Sequence, residues 1–261
     1  MKITAPRCLQ RTDPRRVTSG PGGTSPFPGP WVGGVAMLAG PVLLLIGTFL
    51  RIGYDFFFTD QLRGFAEDPA LMTASYNCWL AGDILLWPAV LVLAHRIART
   101  RPRWATWAAV MVLMGLFARS YHYGAGFLAF QLVELRGLPA ATAFIGDAYG
   151  DATFQVIRYL TFTIMFGWYV LAVAAYLSRT LGAVRAIGLG TMSLVPLGML
   201  KGTETMTVIG AIGLCVALLP TGVELLRDAV RRTRRPRRAD VGFGLLAAVA
   251  VLALAELGTY G

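Results

Sequence analysis

The chain has 261 residues, of which 56% are hydrophobic and 15% charged, and its mean hydropathy is +0.59. Soluble domains carry about 25% charged residues, so this composition excludes an ordinary soluble fold and points to a membrane protein. The net charge of +10 does not imply a nucleic-acid partner, because the basic excess lies in the gaps between apolar segments, where membrane topology and anionic headgroups account for it. Cys8, Cys78 and Cys215 are too scattered for a disulfide framework or a paired-cysteine metal motif.

In chain order, residues 1–30 are rich in Pro, Gly, Ser, Thr and Arg and read as a disordered, basic cytoplasmic arm. The apolar stretch that follows has full spanning length and lacks a small-residue cleavage site, so it is not a secretory signal. Seven apolar segments then run Trp31 to Gly53, Tyr76 to His95, Trp104 to Gly124, Thr153 to Leu177, Leu181 to Leu200, Met206 to Leu226 and Val241 to Leu257. Each approaches the ~20 residues that cross a bilayer as a helix. Continuous apolar runs exclude the alternation of a barrel, leaving an all-α bundle over residues 31–261. An Arg-rich loop at 227–240 precedes the last helix.

Basic residues set the expected orientation. The N-terminal arm, the second-to-third gap, the fourth-to-fifth connection with the start of the fifth helix, and the sixth-to-seventh gap hold 18 of the 24 Lys and Arg residues. By the positive-inside rule the N-terminus is cytoplasmic and the C-terminus outside. Asp55, Asp60, Glu67, Asp68, Glu134, Asp147, Asp151 and Glu204 fall in or beside the opposite gaps.

Two outer connections are long, Tyr54 to Ser75 and Ala125 to Ala152. In the second, Leu128, Leu132 and Leu135 beside Phe127 predict a short interfacial or re-entrant helix. Structured connections of this length suit a lid or binding surface. Ile97-Ala98-Arg99-Thr100 and Leu177-Ser178-Arg179-Thr180 form a weak internal repeat, as parallel duplication of a helical hairpin would produce. Pro41, Pro88, Pro196 and Pro220 are expected to kink four spans. The seventh, Ala-rich segment reads as a packing element.

A lone intramembrane charge costs roughly 2.5–3.5 kcal/mol on insertion scales, so such groups face the interior, pair, or line a wet cavity. Counting turns from the helix ends places Asp83 and Arg158 about two turns below the outer surface, with Arg119, Tyr121, His122 and Tyr123 in the same layer. Asp83 is the deepest acid, and Arg158 or Arg119 its expected partner. Arg51 and Lys201 are expected to snorkel to headgroups. His122 is either a proton donor and acceptor or an interfacial hydrogen-bonding residue. Aromatic residues concentrate in the first four helices, where Trp79, Trp87, Tyr121 and Phe162 are candidate linings of a pocket for an apolar or cationic ligand. There is no phosphate-binding loop, no histidine pair for zinc or haem and no nucleophile elbow. No cofactor and no metal are expected.

An acidic stretch ending in Asp68-Pro69, then Arg96-Ile97-Ala98-Arg99 and Arg101-Pro102-Arg103-Trp104, resembles the layout of small six- to seven-helix membrane proteins of high-GC bacteria. That resemblance implies a multi-pass protein of a bacterial cytoplasmic membrane and no activity. Asn77-Cys78-Trp79 followed by Asp83 is similar to part of the second-helix pattern of membrane-bound terpene cyclases, although no acid directly follows Trp79. That likeness implies Asp83 as general acid, with Trp79, Trp87, Tyr121 and Phe162 stabilising carbocations. Two functions are therefore expected to compete. One is an outward-facing cavity that binds or passes a small amphipathic or isoprenoid-like compound, in an export, self-protection or accessory role. The other is a membrane-embedded cyclase.

Overall fold

The structure is a computed structural model that describes residues 27–55, 57–150, 156–201 and 204–232, and among these it is helical without any strand. The expectations for the arm up to residue 26 and for the segment Val241 to Leu257 lie outside the described residues.

Helix α1 (Pro30–Leu50) opens with proline in its first turn after Gly29 at φ 90° and runs unbroken through Pro41. Helix α2 (Phe58–Glu67) ends at Asp68, whose carboxylate accepts from the Leu71 backbone N–H at 2.9 Å and so caps α3 (Pro69–Ala98). The Asp-Pro pair is thus a helix start, with the cap oxygen and the ring each doing what a first turn requires. Helix α4 (Pro102–Arg136) continues for 35 residues until Gly137, at φ 80°, a conformation glycine adopts without a Cβ penalty. Helices α5 (Leu138–Gly150) and α6 (Val156–Leu177) follow.

The separate interfacial helix expected after Gly124 is not there. The backbone has no proline between Pro102 and Pro139 to interrupt it, so α4 extends straight through. The buried stripe of this extension is Gly126, Ala129, Phe130 and Val133, at helical spacing, while Leu128 and Leu135 are 68% and 80% exposed.

The fifth apolar segment is broken. Helix α7 (Ala183–Gly190), a 3₁₀ turn at Thr191–Ser193 and α8 (Leu194–Lys201) share its length. Pro196 cannot donate to the Met192 carbonyl, and the break falls on that carbonyl. Helix α9 (Glu204–Arg232) is continuous through Pro220. There Arg185 crosses from α7 and donates through Nε and Nη2 to the Ala217 carbonyl at 3.2 and 2.9 Å, and also to the Thr221 hydroxyl. Proline crowds the carbonyls one turn before it, and the guanidinium supplies donors at that point.

Close approaches fix the helix directions. A Cβ on Gly33 would meet Val92, one on Gly40 would meet Gly82, and one on Gly47 would meet Trp79, so α1 and α3 are antiparallel. Gly115 against Ile164 and Gly167 against Met111 do the same for α4 and α6, and Gly188 against Gly213 with Gly210 against Val195 for α7, α8 and α9. The ends with Pro30, Ala98, Pro102, Leu177, Ala183 and Arg232 therefore gather on one side of the bundle, here the basic end.

Four described helices are long and apolar enough to cross a membrane: Pro30–Leu50, Pro69–Ala98, Tyr159–Leu177 and Glu204–Arg231. The outside of the bundle is apolar too, with Val35, Ile46, Ile84, Val110, Val173 and Ile212 exposed around it. Such a continuous exposed apolar surface needs lipid or a partner to cover it.

Packing is close where α7 and the 3₁₀ turn meet α9: a Cβ on Gly213 would stand 2.0 Å from Thr191 Oγ1 and 2.6 Å from the Gly188 carbonyl. Gly213→Val should cost about 1–3 kcal/mol through overpacking. Gly124, with nothing within 4 Å of its built Cβ, should accept alanine with a gain of about 0.5–1 kcal/mol. Thermal unfolding of the two variants in detergent checks both signs.

Candidate functional site

At the end of the bundle opposite the basic one, α2 and α5 pack on the extension of α4. Leu62 and Phe65 of α2 are buried, and Phe65 stacks on Phe130 with ring centroids 4.4 Å apart. This cap covers a polar and aromatic cluster built on α3 and α4.

Arg51, at the end of α1, turns inward and is fully buried, so it does not snorkel as expected. Its Nη1 donates to Gln61 Oε1 at 3.4 Å, and the Tyr76 hydroxyl donates to the same oxygen. The guanidinium carbon lies 5.4 Å from the Trp79 ring centroid and 5.9 Å from that of Tyr76. An arginine can be held inside apolar surroundings by such ring faces and acceptors.

Arg119 approaches the same indole from α4, 6.0 Å from the Trp79 ring and 5.9 Å from that of Tyr123. Arg119 and Tyr123 are one helical turn apart and so share a face. Asp83 is buried, and its Oδ2 accepts from Ser120 Oγ at 2.8 Å. Among the described residues no contact within 4.0 Å joins Asp83 to Arg119. Trp79 Nε1 and the Tyr123 hydroxyl are buried and have no hydrogen-bond partner among the described residues. Each such atom costs about 1–3 kcal/mol unless something satisfies it.

The structure thus brings Asp83, Arg119 and Trp79 together and separates them from other expected site residues. Asp83 lies deeper than turn counting placed it, level with Gly40 near the middle of α1, because α3 begins at Pro69 instead of Tyr76. Tyr121 and Phe162 are 52% and 63% exposed on the outside of the bundle, which removes them from any interior pocket. His122 is half-buried, and its Nδ1 lies 2.6 Å from the Ala118 carbonyl, one turn back on its own helix. That is a local hydrogen bond, and the ring stands edge-on to Tyr121. Trp87 packs partly buried against the core, one turn further from the cap than Asp83. Arg158 belongs to the first turn of α6, and its side chain lies outside the described residues, as does that of Lys201. Ser120 and Gln61 were not singled out by the sequence. Ser120 was detectable only by its place beside Arg119, and Gln61 by sharing a helical face with Leu62 and Phe65.

No group of three or more His, Cys, Asp or Glu residues suited to a metal ion occurs among the described residues. Comparison with family models, curated proteins and solved structures finds no match.

Proposed function

We propose that this chain is a multi-pass protein of a bacterial cytoplasmic membrane, with seven crossings, a cytoplasmic N-terminus and the capped end of the bundle facing outward. The helix directions support this reading, because they bring the basic turns to one end, as the positive-inside rule requires.

The capped cluster is the proposed binding site for a small amphipathic molecule with an oxygen-bearing head, serving export, self-protection or an accessory role. One observation carries this: the Trp79 N–H and the Tyr123 hydroxyl are buried without acceptors among the described residues, on the wall that also presents Arg119 and Asp83. A carboxylate or hydroxyl head satisfies those donors, and an apolar tail continues along the bundle.

Pyrene-labelled dodecanoic acid and its alcohol are suitable probes, read by quenching of tryptophan emission in the detergent-solubilised chain. Saturable binding that Arg119→Leu weakens about tenfold is expected, because hydrogen bonds to charged groups contribute about 1.5–3 kcal/mol. Equal binding by wild type and Arg119→Leu overturns the reading.

A further inference from the structure

A second site lies at the basic end, remote from the capped cluster. The start of α1, the end of α3, the turn after α6 and the last turns of α9 enclose a cavity of about 420 Å³. His95, Arg96 and Arg99 line it from α3 and its C-terminus, and Asp228 from α9, while Val92 and Leu225 form its apolar wall. Arg96 reaches Glu224 at 4.0 Å, a long contact for a guanidinium that has five N–H donors to place. Arg99 is exposed and joins no ion pair among the described residues.

We propose that this cavity holds the phosphate of a membrane phospholipid headgroup. Three observations converge on that ligand. The basic groups converge on a concave site instead of spreading over a surface, and arginine forks match phosphate oxygens. Val92 and Leu225 give the cavity an apolar wall, against which the first carbons of an acyl chain would pack. Trp31, Trp104 and Trp107 are exposed at this same end, the level at which indoles mark a headgroup layer, and basic pockets between spans on that side take lipid heads. Asp228 in the cavity and Glu224 beside Arg96 restrict the charge that can be accepted, so the site suits a single phosphodiester and disfavours a polyphosphorylated head.

The test is native mass spectrometry of the full chain in detergent, titrated with phosphatidylglycerol and, separately, with inorganic phosphate. Wild type should retain one phosphatidylglycerol preferentially. Arg99→Gln should weaken it about fivefold, as expected for one basic residue near a membrane surface, and R96Q/R99Q further. Asp228→Asn should strengthen it, an outcome that a merely structural role for these residues does not give. Arg231→Gln, outside the cavity, should change nothing. If R96Q/R99Q fails to fold, Arg99→Gln alone decides, because Arg99 is exposed at the helix end. Unchanged retention in the arginine variants overturns the site. Inorganic phosphate binding with the same arginine dependence, without preference for the lipid, overturns the lipid assignment.

Discussion

Trp79→Ala should be the most destabilising single substitution in the described bundle. The indole is 1% exposed, touches α1 at Gly47, and provides the ring over which both Arg51 and Arg119 sit. Truncating a buried tryptophan costs about 3–5 kcal/mol in lost burial and cavity formation. Here it also removes the aromatic face from two interior guanidinium groups, so the effect should lie at the upper end of that range. Thermal unfolding in detergent measures it. Trp79→Phe divides the contributions: it keeps most of the volume and a ring face, and removes the N–H with the rest of the five-membered ring. It should recover most of the stability while still weakening the proposed ligand, whose head it can no longer reach with a donor. A Trp79→Ala protein that melts with the wild type would show that this wall is not the core of the bundle.

At the same wall, Asp83→Asn should also destabilise the bundle. The amide retains an acceptor for the Ser120 hydroxyl, so the 2.8 Å hydrogen bond survives the change. What is lost is the negative charge beside Arg119 in a poorly solvated interior, where fields are strong. A loss of about 1–3 kcal/mol is expected, or roughly 2–4 °C of melting temperature per kcal/mol for a chain of this size. The competing expectation, acid catalysis by Asp83 on an isoprenoid, has a different signature. Asp83→Asn would then abolish turnover while leaving the melting temperature unchanged. Combining Asp83→Asn with Arg119→Leu in a double-mutant cycle measures the coupling between the two charges directly.

Helix existence was legible in the sequence because it rests on length and hydropathy alone: the four strongest spans overlap the expected segments, and α1, α3 and α6 match them within three residues at the basic end. The boundaries of α3 and α4 at the capped end were less legible. The polar run from Arg119 to Gly124 lowers the hydropathy, yet it carries nothing that breaks a backbone ladder, so α4 continues past it. Likewise α3 starts seven residues before its apolar stretch, since Asp68 and Pro69 decide the start and apolarity does not.

The candidate site was half legible. That Asp83, Arg119 and Trp79 meet follows from depth, because antiparallel neighbours bring similar levels together. Which face each side chain takes does not follow from depth, and Tyr121 and Phe162, expected as pocket linings, are exposed. Arg51 shows the same limit from the other direction. A charge at a helix end reads as solvent-facing, and only the position of α2 across the bundle end, with Gln61 supplying an acceptor, turns it inward.

The central claim is that the capped cluster and the basic cavity sit at ends of one bundle that face opposite compartments. Replacing Cys8, Cys78 and Cys215 by serine and introducing Arg63→Cys on α2 or Arg99→Cys after α3 allows a direct test with a membrane-impermeant maleimide on intact cells. Labelling of the position-63 variant from outside, with the position-99 variant labelled only after the membrane is opened, is the expected result. Labelling of both from the same side contradicts it.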